Sequence, residues 1–133
     1  MDHKFKKKFG QNFLKDNNII KKIADTTETN KDDLIIEIGP GSGALTKELV
    51  KKSHVLAYEI DKDLEETLTN EFKEDNIKII FDDFLNRNIK DDIKLFNYNN
   101  LYVIANLPYY ITTPIINKII DDKIDVKQLF NAL

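Results

Sequence analysis

The sequence predicts an α/β fold built on a doubly wound parallel sheet. Short, largely apolar runs, which are typical of strands buried on both faces, alternate with segments whose apolar residues recur at helical spacing. In addition, a glycine-rich turn directly follows the first apolar run, at the position where open parallel sheets bind their ligands. The length of 133 residues is sufficient for one such domain.

The apolar runs place the strands, and the segments between them predict the helices. Strands are expected at residues 34–38, 54–58, 77–81 and 101–105. Helices with an apolar face are expected to begin at Asp16, just after the glycine-rich turn, at Asp61 and at Pro114. Between the third and fourth strands the chain is more polar, and we expect a mixture of helix and loop over residues 86–100.

The composition excludes several classes of protein. Hydrophobic residues make up 41% of the chain and charged residues 32%, which is typical of a globular protein. No apolar run approaches the roughly 20 residues that span a membrane, and the lysine-rich start lacks the apolar stretch of a signal peptide. The lack of cysteine and the two isolated histidines predict that no metal is bound. We therefore expect a cytoplasmic protein without a membrane partner.

The net charge of −3 conceals a basic N-terminal arm, residues 1–15. This arm carries five lysines against the single Asp2, a net +4 that leaves −7 for the domain at residues 16–133. Lysines bind nucleic-acid phosphates irrespective of base sequence, so the arm is a candidate RNA-binding segment. We assign this role to Lys4, Lys6, Lys7 and Lys8. The alternative is a solvated chain end without a binding role.

Three glycines alternate in the turn after the first strand, at Gly39, Gly41 and Gly43. Glycine allows the chain to turn sharply and allows a ligand to lie against bare backbone. The spacing G-x-G-x-G differs from the dinucleotide pattern G-x-G-x-x-G, but Ala44 can stand for the last glycine of that pattern, so a dinucleotide stays an alternative ligand. We assign Gly39 and Gly41 to a cofactor site.

Acidic residues follow the second and third strands. Glu59 lies twenty residues past Gly39, where a carboxylate can accept both hydroxyls of an adenosine ribose. Asp61 is an alternative for that role, but we expect it to cap the following helix. After the third strand, a carboxylate can accept a hydrogen bond from an adenine amino group. We choose Asp83 for this contact and keep Asp82 as the alternative.

The segment Asn106-Leu107-Pro108-Tyr109 follows the fourth strand and suits the methylation of an adenine amino group. That nitrogen is a poor nucleophile because its lone pair is delocalised into the ring, so an enzyme must hold both amino hydrogens. The Asn106 oxygen and the carbonyl of Leu107 or Pro108 can accept them. The proline fixes the backbone, and Tyr109 offers a face for an extruded base. We assign catalytic roles to these four residues.

These motifs, together with Phe-Gly-Gln-Asn-Phe-Leu at residues 9–14, resemble the ribosomal RNA adenine dimethyltransferase family, the KsgA group especially. The resemblance spans about residues 4–120. It implies a Rossmann-like class I methyltransferase with strand order 3-2-1-4 and S-adenosylmethionine as cofactor. It also implies dimethylation of two adjacent adenines in small-subunit ribosomal RNA. The cofactor-site residues that it implies are Asn12, Leu14, Gly39, Glu59, Asp83 and Asn106.

Members of this family continue through more strands and a helical domain that engages RNA, so the resemblance makes residues 16–133 a partial domain. We therefore expect this chain to bind the cofactor weakly and to methylate ribosomal RNA slowly or not at all. The full-length form is expected to be a monomer whose partners are ribosomal RNA and the small ribosomal subunit.

Several alternative functions stay open at this point. Erm-type enzymes methylate large-subunit ribosomal RNA, but Gly10 and Leu107 look more like the KsgA group. Methyltransferases acting on DNA adenine or protein glutamine tend to have Pro-Pro-Tyr where this chain has Leu-Pro-Tyr. A non-catalytic RNA-binding or assembly factor would keep the fold and act by occupying its RNA site, without catalysing a reaction. A dinucleotide oxidoreductase is the last alternative, although no residues suited to hydride transfer are recognisable.

Overall fold

The computed structural model describes residues 21–22, 24–25 and 28–131, and a five-stranded parallel sheet forms its centre. The strands are β1 (Leu34–Ile38), β2 (His54–Tyr58), β3 (Ile77–Ile80), β4 (Leu101–Ala105) and β5 (Gln128–Asn131). They lie in the order β3-β2-β1-β4-β5, and every neighbouring pair is parallel. The predicted order 3-2-1-4 is confirmed, and β5 extends it by one strand beside β4.

Helices connect the strands and flank the sheet. They are α1 (Ala44–Leu49), α2 (Glu65–Glu71), α3 (Ile89–Ile93) and α4 (Tyr109–Asp121), with single 3₁₀ turns at Lys62–Leu64 and Phe84–Asn86. Residues 21–22 and 24–25 are also helical, whereas the first part of the helix predicted from Asp16 lies outside the described residues. Nowhere in the described ranges does a helix combine the length and the apolar character needed to cross a membrane.

Successive strand residues point to opposite faces of the sheet, and each face carries its own hydrophobic core. One core joins strand residues to α4 and includes Leu34, Ile36, Ile38, Tyr58, Val103, Ile115 and Ile119. The other joins strand residues to α1 and includes Ile35, Val55, Ala57, Ile104, Leu45 and Leu49. The sheet is therefore covered on both sides, which explains why its strands are largely apolar runs rather than alternating ones.

The start of α4 differs from the sequence prediction. The helix begins at Tyr109 rather than at Pro114, which lies inside it. Pro108 is the residue before the first turn, and its carbonyl accepts hydrogen bonds from the N–H groups of Ile111 at 2.9 Å and Thr112 at 3.3 Å. The fixed φ of Pro108 therefore favours a helix that begins five residues before the proline that was expected to start it.

Smaller differences concern the edges of the sheet and the helix after β2. Strand β3 ends at Ile80 rather than at residue 81, and a 3₁₀ turn precedes α2. The predicted mixture of helix and loop over residues 86–100 contains the short helix α3. Strand β5 was not predicted, because only two of its four residues are apolar and only one side of it pairs with a described strand.

Candidate functional site

The carboxyl ends of β1, β2 and β4 lie side by side. Ile38, the last residue of β1, pairs with Tyr58 of β2 and with Ala105 of β4. Backbone hydrogen bonds continue the ladder by one residue, because the Gly39 N–H donates to the Tyr58 carbonyl and the Asn106 N–H donates to the Ile38 carbonyl, each at 2.9 Å. The residues that follow these strands therefore meet at one edge of the sheet.

Three polar side chains share the α1 face of the sheet at this edge. Glu37 alternates with Ile36 and Ile38 and so lies on the face opposite to theirs. Glu59 and Asn106 continue the alternation of β2 and β4 onto the same α1 face. The exposed fractions are 0% for Glu37 and 5% for both Glu59 and Asn106. Their burial at a strand end distinguishes them from ordinary surface residues, since buried polar groups require partners.

The glycines of the turn between β1 and α1 all have positive φ values, 80° at Gly39, 58° at Gly41 and 85° at Gly43. A Cβ atom at Gly43 would lie 2.6 Å from the Phe72 ring, so any side chain there would force this ring to shift. At Gly41, in contrast, a Cβ atom would meet no described atom within 4 Å. Gly41 therefore leaves bare backbone next to open space, as a ligand cradle requires.

Gly39 brings the glycine turn into contact with the segment after β4. A Cβ atom at Gly39 would lie 3.3 Å from Cδ2 of Leu107 and 3.6 Å from the Asn106 carbonyl oxygen. The two segments that the sequence predicts to be functional therefore lie so close together that even a methyl group at position 39 would press on Leu107.

The Glu59 side chain turns toward the glycine turn. Its Oε1 accepts a hydrogen bond from the Gly41 N–H and its Oε2 accepts one from the Asp61 N–H, both at 2.9 Å. Asp61 accepts the N–H of Asp63 at 3.0 Å and caps the 3₁₀ turn, so its predicted capping role is confirmed. These bonds fix the Glu59 carboxylate between the ends of β1 and β2.

Asn106 and Glu37 form a buried hydrogen-bonded pair. Nδ2 of Asn106 donates to Oε2 of Glu37 at 2.9 Å, and the Thr46 hydroxyl of α1 donates to Oε1 of Glu37 at 2.5 Å. Burial raises the pKa of Glu37 to about 7, against the opposing effect of the two hydrogen bonds and with a small further rise from the nearby Glu59 carboxylate. Oδ1 of Asn106 is buried and has no hydrogen-bond partner in the described part of the chain.

The remaining residues of the Asn-Leu-Pro-Tyr segment have distinct positions. The Pro108 carbonyl is occupied by the first turn of α4, which leaves the Leu107 carbonyl as the better backbone acceptor for a ligand. Leu107 is half-buried against Gly39. Tyr109 begins α4, and its side chain lies outside what the structure describes.

The two acids after β3 are both held by short-range contacts. Oδ1 of Asp83 accepts the Leu85 N–H at 3.0 Å and caps the turn at Phe84–Asn86. Oδ1 of Asp82 accepts the Asp83 N–H at 2.7 Å, and its other oxygen lies 3.6 Å from Arg87. Neither contact distinguishes which acid faces a ligand, so the choice of Asp83 stays a prediction.

A hydrogen-bonded network around the Asp92 carboxylate anchors the loop after β3 to the sheet. Arg87 forms two hydrogen bonds with the Asp92 carboxylate, at 2.8 and 3.1 Å, and the Tyr58 hydroxyl donates to the same carboxylate at 2.8 Å. Burial raises the pKa of Asp92, but the bonds from Arg87 and Tyr58 outweigh it and leave the pKa below its ordinary value. The network ties the loop after β3 to the end of β2.

Several predicted residues lie outside the described part of the chain, namely Asn12, Leu14, Lys4, Lys6, Lys7 and Lys8. Conversely, sequence reasoning missed Glu37 and Thr46. The available signal was a single acid inside the otherwise apolar run of β1, because a charged residue in a strand buried on both faces needs a specific partner. In the described ranges, no group of three His, Cys, Asp or Glu residues is arranged to hold a metal ion.

Comparison with known proteins gives a consistent result. The sequence model of the family described as "Ribosomal RNA adenine dimethylase" matches residues 2–131. A protein of Mycoplasma capricolum subsp. capricolum named ribosomal RNA small subunit methyltransferase A is 51% identical over 116 residues, which cover 86% of this chain and 44% of that protein. A Streptococcus thermophilus protein of the same name is 50% identical over 124 residues, covering 90% of this chain and 43% of that protein.

Solved structures agree with the sequence relatives. The 23S rRNA methyltransferase ErmE matches with a TM-score of 0.66 and 30% identity, over 80% of this chain and 42% of that one. A dimethyladenosine transferase from Plasmodium falciparum matches with a TM-score of 0.63 and 25% identity, over 86% of this chain and 41% of that one. The chain thus spans less than half the length of these relatives.

Proposed function

The chain belongs to the ribosomal RNA adenine dimethylase family, and from this premise we propose that its sheet edge is the site of an S-adenosylmethionine-dependent dimethyltransferase. The substrate that we propose is a pair of adjacent adenines in small-subunit ribosomal RNA, methylated on their exocyclic amino groups. This assignment follows the small-subunit names of the relatives that are about half identical to this chain.

The observation that carries the proposal is the unpartnered Oδ1 of Asn106. A buried carboxamide oxygen without a partner costs free energy, on the order of 1–3 kcal/mol. A ligand that donates a hydrogen bond removes that cost, and an adenine amino group is such a donor. Accepting this hydrogen draws electron density onto the amino nitrogen.

The second amino hydrogen requires a second acceptor. We assign it to the Leu107 carbonyl, since the first turn of α4 occupies the Pro108 carbonyl. Pro108 then acts by fixing the backbone between the acceptor and the helix, and Tyr109 by stacking on the extruded base. No strong general base is needed in this scheme, because alignment of the reacting centres is the main contribution of the protein.

The residues at the glycine turn fit the cofactor. Gly41 leaves open space next to bare backbone, and Glu59 is held beside it by the Gly41 N–H. We assign the ribose hydroxyls to the Glu59 carboxylate, which the Gly41 and Asp61 N–H groups hold at the end of β2 beside this turn. We assign the adenine amino group of the cofactor to Asp83, with Asp82 as the alternative. S-adenosylmethionine supplies the methyl group as a sulfonium substituent that is readily displaced.

The partners follow from the substrate. We propose that the lysines of residues 1–15 contact ribosomal RNA phosphates and that the reaction takes place in the cytoplasm, on the small subunit or its precursor. The likeness to ErmE supports the second candidate, an enzyme acting on large-subunit ribosomal RNA, but less strongly, because its identity of 30% is well below that of the small-subunit relatives.

The test of the proposed reaction is Asn106→Ala, compared with Asn70→Ala on the exposed face of α2. Ribosomal RNA is incubated with each protein and a tritiated methyl donor, which detects slow turnover. We expect Asn106→Ala to lose methylation by at least about tenfold while RNA affinity is retained, and Asn70→Ala to match the parent. If the parent and Asn106→Ala both bind RNA without any methylation, the result favours the assembly-factor alternative.

The cofactor is tested separately by calorimetry. We expect S-adenosylhomocysteine to bind the chain and NAD not to bind. The reverse result would establish the dinucleotide alternative that the glycine spacing left open.

A further inference from the structure

Glu37 is a fully buried carboxylate in the middle strand of the sheet. An ionised group in such a place is costly unless hydrogen bonds compensate it, and two side-chain donors, Thr46 and Asn106, do so here. Thr46 comes from α1 and Asn106 from the end of β4. The carboxylate therefore joins the glycine-turn helix to the segment proposed to hold the target base.

The chemistry of the pair determines which way the Asn106 carboxamide faces. An ionised carboxylate only accepts hydrogen bonds, so the Asn106 nitrogen must point toward Glu37. The oxygen then lies on the opposite side of the amide, and it is this oxygen that has no partner within the described ranges. Rotating the amide by half a turn would place two acceptors against each other.

We propose that Glu37 is a positioning residue for methyl transfer, because its carboxylate holds the Asn106 carboxamide with Oδ1 directed at the amino group of the target adenine. This inference rests on the proposed function for the identity of the base. It adds to that function a residue that touches neither base nor cofactor but sets the orientation of the residue that does.

The arrangement is sensitive to protons. The groups that face Glu37 are Thr46 from α1, Asn106 from β4 and the carboxylate of Glu59 at the end of β2. Once protonated, Glu37 becomes a donor, and a rotated Asn106 amide can accept that hydrogen through Oδ1. Oδ1 of Asn106 is then bonded to Glu37 and cannot accept a hydrogen bond from the target adenine. Because burial raises the pKa of Glu37 to about 7, this exchange falls in an accessible pH range.

The first experiment follows the Asn106 side-chain amide of the 133-residue chain by ¹⁵N NMR across the pH range. We expect its resonance to titrate with a midpoint near 7 in the parent and in Glu48→Gln, which changes a partly exposed acid of α1 that pairs with Lys51, and not to titrate in Glu37→Gln. An Asn106 amide that is insensitive to pH in the parent, or that titrates equally in Glu37→Gln, overturns the inference. This readout requires no activity.

The second experiment measures methyl transfer to ribosomal RNA against pH with a tritiated donor. We expect the parent and Glu48→Gln to lose activity as the pH falls through 7. The activity of Glu37→Gln should not fall in this pH range. Glu37→Leu, which has no acceptor for Asn106, should lower kcat at least about tenfold with little change in affinity for S-adenosylhomocysteine. Parent-like pH profiles in Glu37→Gln contradict the positioning role. A parent that titrates by NMR and binds RNA but never methylates it leaves the positioning of Asn106 intact and favours the assembly factor over the proposed function.

Discussion

At the scale of single residues, Glu37 combines a structural cost with a functional use. Burial raises its pKa from 4.5 to about 7, so the folded chain holds this proton more tightly than the unfolded chain does. The stability that accompanies the proton is fully present below about pH 4.5 and is lost as the pH rises toward 7.

Glu37→Gln should remove this dependence on pH. From the pKa difference, we expect the variant to gain stability relative to the parent, on the order of 3 kcal/mol in free energy of unfolding, between about pH 4.5 and pH 8. Urea unfolding of both proteins at the two pH values measures the change. A constant difference between parent and variant would show that Glu37 does not titrate in this window.

Two glycines of the same turn should respond differently to alanine. Gly41→Ala adds a methyl group to open space at a φ of 58°, so we expect a loss of about 1–2 kcal/mol in stability and a clear loss of S-adenosylhomocysteine affinity. Gly43→Ala places its methyl group 2.6 Å from Phe72. We expect a larger loss there, about 3 kcal/mol, since overpacking adds to the backbone strain.

Chemical denaturation measures the loss of stability of each variant, and calorimetry measures its loss of S-adenosylhomocysteine affinity. Phe72→Leu is the matched second-site change, because it shortens the side chain that Gly43 approaches. It should recover part of the stability of Gly43→Ala and none of that of Gly41→Ala. Equal stabilities of the two alanine variants would contradict the packing role of Gly43.

The residue scale is also where sequence analysis was least complete. Gly39, Glu59 and Asn106 were recognisable because they follow apolar strands, and parallel strand ends must meet at one edge. Glu37 was not, because its role depends on a partner 69 residues away in the sequence. Only the tertiary structure shows which donors a buried acid has found.

At the scale of secondary-structure elements, the strands were predicted well and the helix boundaries less well. Strands β1, β2 and β4 have the predicted bounds, because each is buried on both faces and reads as a continuous apolar run. The start of α4 was wrong, since Pro108 and Pro114 are both plausible first-turn residues and sequence alone does not rank them. Edge strand β5 is too short and too polar to produce a clear signal.

The network at Asp92 illustrates how one element is fixed to another. Arg87→Ala leaves a 7% exposed carboxylate with the Tyr58 hydroxyl as its remaining side-chain donor from this network. We expect a loss of about 2 kcal/mol, less than for a fully buried pair because the Arg87 side chain is 34% exposed. Lys94→Ala, which breaks an exposed pair with Asp91 nearby, should cost well under about 1 kcal/mol.

Arg87→Ala should also change how the stability of the protein depends on pH. The pKa of Asp92 lies below its ordinary value, so the stability from its partners is present at neutral pH and is lost as the pH falls through the acidic range. Arg87→Ala should therefore unfold at a higher pH than the parent during acid titration followed by circular dichroism. An unchanged acid midpoint would show that Arg87 does not stabilise the ionised form.

At the scale of the whole molecule, charge is distributed unevenly. Residues 1–15 carry a net +4 and the remainder −7. The acidic body repels RNA, so a basic arm is the part of the sequence best suited to attract phosphate.

Replacing Lys4, Lys6, Lys7 and Lys8 together with alanine should weaken RNA binding and reduce its dependence on salt. If all four contact phosphates of single-stranded RNA, the slope of log affinity against log salt should become shallower by about 3. Fluorescence anisotropy with a labelled ribosomal RNA fragment measures the slope. An unchanged slope would show that these lysines do not contact RNA and that the arm is a solvated chain end.

The close approach of Gly39 to Leu107 has a consequence for how such sequences can evolve. These positions are 68 residues apart in the sequence, yet a Cβ atom at position 39 would lie 3.3 Å from Cδ2 of Leu107. A side chain at position 39 would have to displace Leu107 and would also have to adopt a φ of 80°, so packing and backbone conformation both keep this position glycine. A library randomised at position 39 should therefore return almost only glycine, even when position 107 is randomised with it, because a smaller residue at 107 removes the close contact and not the backbone strain.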